Sequence, residues 1–194
     1  QWRELIYEMG YELQGDEFLP LGNDSSEDAS KTLEDPNLGI QRYLTALNRS
    51  SFSAPVKALM RFGYLNGQYS FFDYGCGKQG DVNGLKENQI NAAGWDPYYA
   101  PHEKIIESDL VNLGFVINVI ENIDERIEAL KKAFDITNKI LVVGVMLSSQ
   151  KASGKIYGDG FLTSRNTFQK YYTPQELFDF IKQNLSQEPV PVAP

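Results

Sequence analysis

Tyr69-Ser70-Phe71-Phe72-Asp73-Tyr74-Gly75-Cys76-Gly77-Lys78-Gln79-Gly80 joins an aromatic strand, Tyr69 to Phe72, to a glycine loop, with a helix expected from Val82 to Gln89. Strand, glycine turn and helix form the opening unit of an α/β domain, and the chain downstream repeats that alternation. Ala92 to Trp95 reads as a short strand closed by Asp96-Pro97, and Leu110 to Leu113 as a third apolar strand. Ile123, Ile127, Leu130 and Phe134 fall at i, i+4, i+7 and i+11, a helical stripe. Ile140 to Leu147 is a nearly continuous apolar run, the pattern of a strand buried on both faces of a parallel sheet. Thr173-Pro174-Gln175-Glu176 supplies an N-cap, a proline at N1 and a glutamate at N3 ahead of Leu177, Phe178, Ile181 and Leu185. The expected fold is a Rossmann-like α/β sheet, mostly parallel, with helices on both faces.

Gly75, Gly77 and Gly80 spell G-x-G-x-x-G, and Asp96 lies 21 residues beyond Gly75, so the dinucleotide fingerprint is formally met. The charges beside the loop point elsewhere. Asp73 stands two residues before Gly75 and Asp81 opens the helix, so a pyrophosphate here would face two carboxylates. S-adenosylmethionine instead brings an ammonium, which Asp73 attracts. It is the expected cofactor, with Gly75 and Gly77 letting the backbone come close and Asp96 accepting from ribose hydroxyls. Asp81 also reads as a plain helix cap, and Cys76 as a small residue fitting the crowded turn.

Upstream, Ser53 is a plausible N-cap for a helix carrying Val56, Leu59, Met60 and Phe62, ended by Gly63. Trp2, Leu5, Ile6 and Met9 have helical spacing, Tyr11 to Leu19 alternates like a strand, and Gly22 to Pro36 is a polar, acidic linker pattern. The division expected is an acidic N-terminal extension over 1–36, the α/β domain over 37–185 and a flexible proline-rich tail over 186–194.

At 42% hydrophobic and 23% charged residues, the composition is that of a folded chain rather than a disordered one. No apolar run approaches the roughly 18 residues that a membrane span needs, and Gln1-Trp2-Arg3-Glu4 does not read as a secretory leader. One cysteine and one histidine allow neither an internal disulfide nor a Cys/His metal cluster, and a reducing cytoplasm is expected. The net charge of −8 disfavours bulk nucleic-acid binding. All of that excess sits in Gln1 to Pro36, however, while Asn37 to Phe72 holds Arg42, Arg49, Lys57 and Arg61 without an acid.

Phe72-Asp73-Tyr74-Gly75-Cys76-Gly77, Gly94-Trp95-Asp96-Pro97, Asn112 to Glu121 (NLGFVINVIE) and Gly158 to Arg165 (GDGFLTSR) resemble the methyltransferase-like proteins associated with DNA phosphorothioation, as do Arg42 to Arg49 (RYLTALNR) and Ser53-Ala54-Pro55-Val56. The similarity runs from about Gln41 to Leu185. It implies a class I methyltransferase sheet with cofactor contacts at Asp73, Gly75, Gly77, Asp96 and the Leu113-Gly114 strand end; the neighbours Cys76 and Pro97 complete the expected set. The acceptor would be a small molecule or a nucleic-acid-related group.

Two positions depart from methyltransferases in general. The third glycine of D-x-G-x-G-x-G falls at Gln79, and only twelve residues separate Asp96 from Asp109, so the sheet is shortened after its second strand. Fully extended, twelve residues reach roughly 40 Å, enough to cross to another strand but not to build a further unit. Tyr98 or Tyr99 is then a candidate to stack on adenine. His102 is the candidate catalytic residue. Arg42 and Arg49, seven apart, share a face if Gln41 to Arg49 is helical and then suit an anionic substrate group, while Asp159 and Arg165 belong either to a substrate lid or to an ordinary β-hairpin. Where an Asn-Pro-Pro-Tyr motif would mark amino methylation of bases, the chain reads Asn112-Leu113-Gly114-Phe115. Two alternatives stay open: a non-catalytic module that binds the cofactor or a partner, and an NAD(P)-dependent oxidoreductase.

Overall fold

The computed structural model describes residues 11–14, 17–20, 39–148 and 154–192. The chain divides into two compact units, Gln1–Leu38 and Gly39–Pro194. In the first, β1 (Tyr11–Gln14) and β2 (Glu17–Pro20) pair antiparallel. The helical spacing at Trp2 to Met9 and the polar run Gly22 to Pro36 lie outside the described residues.

The second unit is an α/β domain. Its sheet holds β3 (Phe71–Tyr74), β4 (Ala92–Trp95), β5 (Ser108–Gly114) and β6 (Thr137–Gly144), all parallel, in the order β4-β3-β5-β6. Alternation along the strands sorts the core into two layers. Phe71 and Leu110 pack with Val56 and Leu59 of α1 (Ala54–Arg61) and with Val82 and Leu85 of α2 (Gly80–Glu87). Phe72, Val111 and Leu113 face the other way, onto Ala129, Leu130 and Ala133 of α3 (Ile123–Asp135) and Ile181 of α4 (Pro174–Leu185). Helices therefore cover both faces of a parallel sheet, compatible with a Rossmann-like fold. Asp73, Asn112 and Gly114 continue the Phe71 and Leu110 rows on the α1/α2 side.

After β3 the chain adds β4 on one side and then β5 on the other. The strand order thus reverses between β3 and β5, and in open α/β sheets the crevice outside the carboxyl ends at such a point is where ligands bind. No helix separates β4 from β5. The connection instead turns back on itself at an Asp96–Ala100 bridge and buries Ala100 in the α1/α2 layer.

Three expectations need correction. The first strand runs two residues further than Tyr69 to Phe72, so Asp73 sits inside β3 and is buried among its backbone bonds. The run Ile140 to Leu147 is not buried on both faces; β6 is an edge strand whose apolar residues are only half-buried. Gln41 to Arg49 is not one helix either, since only Arg42–Thr45 makes a single 3₁₀ turn before the chain extends.

Beyond β6, β7 (Lys155–Tyr157), β8 (Gly160–Leu162) and β9 (Phe168–Gln169) form a small antiparallel sheet. Tyr172 then pairs with Leu147 and leads into α4, where Thr173 Oγ1 accepts from the Glu176 N–H and Glu176 reaches back to the Thr173 N–H. This is the capping box expected from the sequence. No helix among the described residues is long and apolar enough to cross a membrane.

Candidate functional site

A cavity of about 540 Å³ opens over the carboxyl ends of β3, β4 and β5, at the strand-order reversal. Its floor includes Asp73 and Asn112, the middle of a cross-strand row in which Gly94 pairs with Asp73, Asp73 with Asn112, and Asn112 with Val142. Asn112 Nδ2 donates to Asp73 Oδ1 at 2.8 Å, and both side chains are buried. Asn112 Oδ1 is buried without a hydrogen-bond partner. Burial, with Asp81 and Asp96 close by, pushes the Asp73 carboxyl up to about 7, against the opposing effects of the Asn112 bond and the Arg49 charge. At the cavity floor thus lie a buried carboxylate and a buried amide oxygen that lacks a donor.

Above this floor the glycine loop is held by Asp96. Its Oδ2 accepts from Gly77 N at 3.0 Å, and Oδ1 accepts from Tyr98 N and Tyr99 N at 2.9 Å each. At Gly75, φ is +84°, and a Cβ would lie 2.4 Å from Val116 Cγ2, so only glycine fits. Gln79 adopts φ +61° where the motif would have its third glycine. The loop keeps the left-handed turn although the residue has a side chain. A Cβ on Gly114 would press on the Asn112 amide at 2.9 Å, so that glycine leaves Asn112 its room. Asp81 lies in the first turn of α2 but is not its cap: its Oδ1 accepts from Ser53 N at 2.8 Å, tying the N-terminus of α1 to α2. The Ser53 hydroxyl itself makes no cap bond.

Residues 40–49 cross the cavity as a strap. Tyr43 stacks on Tyr98 with centroids 4.2 Å apart, and Tyr99 Oη donates to the Tyr43 carbonyl at 2.9 Å. On the opposite side Arg42 forks onto Glu121 at 2.7 and 2.8 Å and reaches Glu125 at 2.6 Å. These bonds raise the Arg42 pKa, and they use the guanidinium that was expected to hold an anionic substrate. Arg49 also lines the cavity but makes no ion pair or hydrogen bond among the described residues; its guanidinium lies 5.4 Å from the Phe115 ring centroid. Phe115, at φ +62°, turns the chain sharply as it leaves β5.

Among the expected cofactor residues, Asp73, Gly75, Cys76, Gly77, Asp96, Pro97 and Gly114 all line this cavity. Leu113 does not, because its side chain is fully buried against α3 and α4. Cys76 is a free thiol pushed up to about 12 by burial and the neighbouring Asp73 and Asp96 charges, which makes it a packing group rather than a nucleophile. Tyr98 lines the wall with one ring face taken by Tyr43.

The catalytic candidate His102 is exposed on the turn after β4 and does not line the cavity. Asp159 and Arg165 do not either. Asp159 closes the β7–β8 hairpin and binds Arg126, a guanidinium with no exposed surface on α3, at 2.7 and 3.0 Å, and Lys170 at 3.1 Å. Arg165 is exposed at the β8–β9 turn. The Gly158 to Tyr172 region is therefore the hairpin reading rather than a lid on this cavity. Asn112, Tyr43 and the buried Arg126 are the residues that sequence patterns did not single out. Neither protein-family models nor curated proteins yield a match to the chain.

Proposed function

We propose that the domain binds S-adenosylmethionine in this cavity and transfers its methyl group to a small molecule or a nucleic-acid-related group. The observation that carries the reading is the buried Asp73–Asn112 pair, two residues that line the cavity at the strand-order reversal and leave a buried acceptor without a donor. They suit an ammonium. A pyrophosphate would instead bring negative charge against Asp73, Asp81 and Asp96, all of which line the cavity, and this weighs against a nicotinamide dinucleotide.

Asp73 and Asn112 Oδ1 would accept the ammonium protons at the floor. Asp96 already takes three backbone bonds, and a carboxylate has about four acceptor sites, so one remains for a ribose hydroxyl. The Gly75–Gly77 backbone gives the close approach, and the Tyr43–Tyr98 stack and Phe115 keep water from the walls. When bound, the donor supplies a methyl group on a sulfonium, which a nucleophile displaces in line. Positioning then carries most of the catalysis, with a base needed only for a protonated acceptor. This fits a cavity without a histidine.

The test is to incubate the protein with methyl-labelled S-adenosylmethionine and separate pools of small molecules and nucleic acids. Label appearing in one pool supports transfer. Binding without transfer to any pool reduces the protein to a cofactor-binding module, and absence of binding overturns the proposal.

A further inference from the structure

The cavity holds two arginines with opposite fates. Arg42 is spent on Glu121 and Glu125, whereas Arg49 has no carboxylate partner among the described residues. Arg49 instead has an aromatic neighbour and lies by the loop: its guanidinium is over the Phe115 ring, and its Cβ sits 3.9 Å from the position a side chain on Gly80 would take. The loop Gly75 to Gly80 thus has the Asp73–Asn112 acceptors beneath it and an unpaired guanidinium beside it. Arg49 is also close enough to Asp73 for its charge to act on that carboxyl.

Resting on the methyl-donor reading, we infer that Arg49 binds the α-carboxylate of the ligand's amino-acid end, so that Arg49 and the Asp73–Asn112 pair together recognise a zwitterion. In an α-amino acid the ammonium and the carboxylate are separated by one carbon. A site that reads both needs an acceptor pair and a forked donor in one cavity, and Asp73, Asn112 and Arg49 all line this one. Arginine presents two parallel N–H donors to a carboxylate, and a guanidinium resting on an aromatic face keeps those edges free. Arg49 is therefore the specificity residue of the site. It makes the cavity select adenosyl compounds that keep the carboxylate over those that carry only the amine or neither group.

The experiment is a calorimetric titration of the full chain and two variants, Arg49→Gln and Arg49→Lys, with three probes: S-adenosylhomocysteine, its decarboxylated analogue and 5′-methylthioadenosine. The parent chain should bind S-adenosylhomocysteine at least about tenfold more tightly than the decarboxylated amine, the ordinary worth of a charged hydrogen-bonded contact. In Arg49→Gln that preference should fall to about twofold or less. Arg49→Lys should recover part of it. Arg49 is exposed, and an unchanged melting temperature confirms that the variants fold. A parent chain that binds the first two probes equally, or an Arg49→Gln variant that weakens both alike, overturns this assignment alone. No binding of any probe by the parent overturns the methyl-donor reading together with it.

Discussion

Asp73 and Asn112 stand directly opposite each other on neighbouring parallel strands, joined by a 2.8 Å hydrogen bond at the point where the strand order reverses. Each is a polar side chain in a row that is otherwise apolar, Phe71 to Asp73 on β3 and Leu110 to Asn112 on β5. Fold stability alone would favour apolar residues at both positions. The pair is costly to the fold, a cost that the proposed ligand would offset, and the first two predictions follow from that conflict.

Asp73→Asn keeps the shape and removes the buried charge. The Asp73 carboxyl sits at about 7 in the fold against roughly 3.9 in an unfolded chain. A raised carboxyl disfavours the fold once it ionises: the penalty is absent below about pH 4, grows up to about pH 7 and is full above that. At pH 8 the variant should be more stable by on the order of 3 kcal/mol, seen as a higher urea midpoint, and should lose S-adenosylhomocysteine binding. Equal midpoints at pH 8 would contradict the account.

Ligand affinity should follow the same titration. An ammonium needs the ionised Asp73, so affinity should rise about tenfold per pH unit up to about pH 7 and then level off. Titrations at pH 6 in buffers of different ionisation heat should report about one proton released per ligand bound. An affinity that stays flat from pH 5.5 to 7.5 would remove Asp73 from the contact.

The glycine loop should respond with opposite signs at two positions. Gly75→Ala puts a Cβ 2.4 Å from Val116 Cγ2 at a left-handed φ, and should cost about 2 kcal/mol or more. Gln79→Gly relieves a left-handed residue, and should stabilise by about 0.5 kcal/mol after the extra backbone entropy of glycine. Chemical denaturation of the two variants measures both changes.

The Arg126–Asp159 pair should behave as a structural tether. Asp159→Ala leaves the buried guanidinium with the Ile120 and Glu121 carbonyls and the Phe168 ring but no carboxylate, and should cost about 2 kcal/mol. Adding Arg126→Met should recover part of that loss, because the orphaned charge is gone. A double variant less stable than Asp159→Ala would show that the charge is not the problem. Cofactor binding should be unaffected in either.

Much of the fold was legible because it is written in local signals. Strand periods, the glycine loop and the Thr173–Glu176 capping box each lie within a few consecutive residues. What was missed depends on distant partners. Arg42 reads as a free cation until the fold brings Glu121 to it, 79 residues away. The face of α3 was misplaced by the large apolar residues: the line that packs inward is Arg126, Ala129, Leu130 and Ala133, whereas Ile123 is exposed. Alanine and arginine carry little weight in a hydrophobic pattern. Asn112 was read as the first residue of a resembling stretch and as the start of a base-methylation motif that does not follow it, and its pairing with Asp73 is a matter of strand register. The edge position of β6 likewise cannot be told from composition, since an apolar run looks the same at the centre of a sheet as at its border.

The central claim is that the Asp73–Asn112 floor receives the ammonium of an adenosyl amino acid. Calorimetric titration of the chain with S-adenosylhomocysteine at pH 8, run beside Asp73→Asn and beside NADH, tests it most directly. The account predicts one saturable site for S-adenosylhomocysteine, abolished in Asp73→Asn, and no heat with NADH. Silence up to millimolar S-adenosylhomocysteine, or saturable binding of NADH, would contradict it.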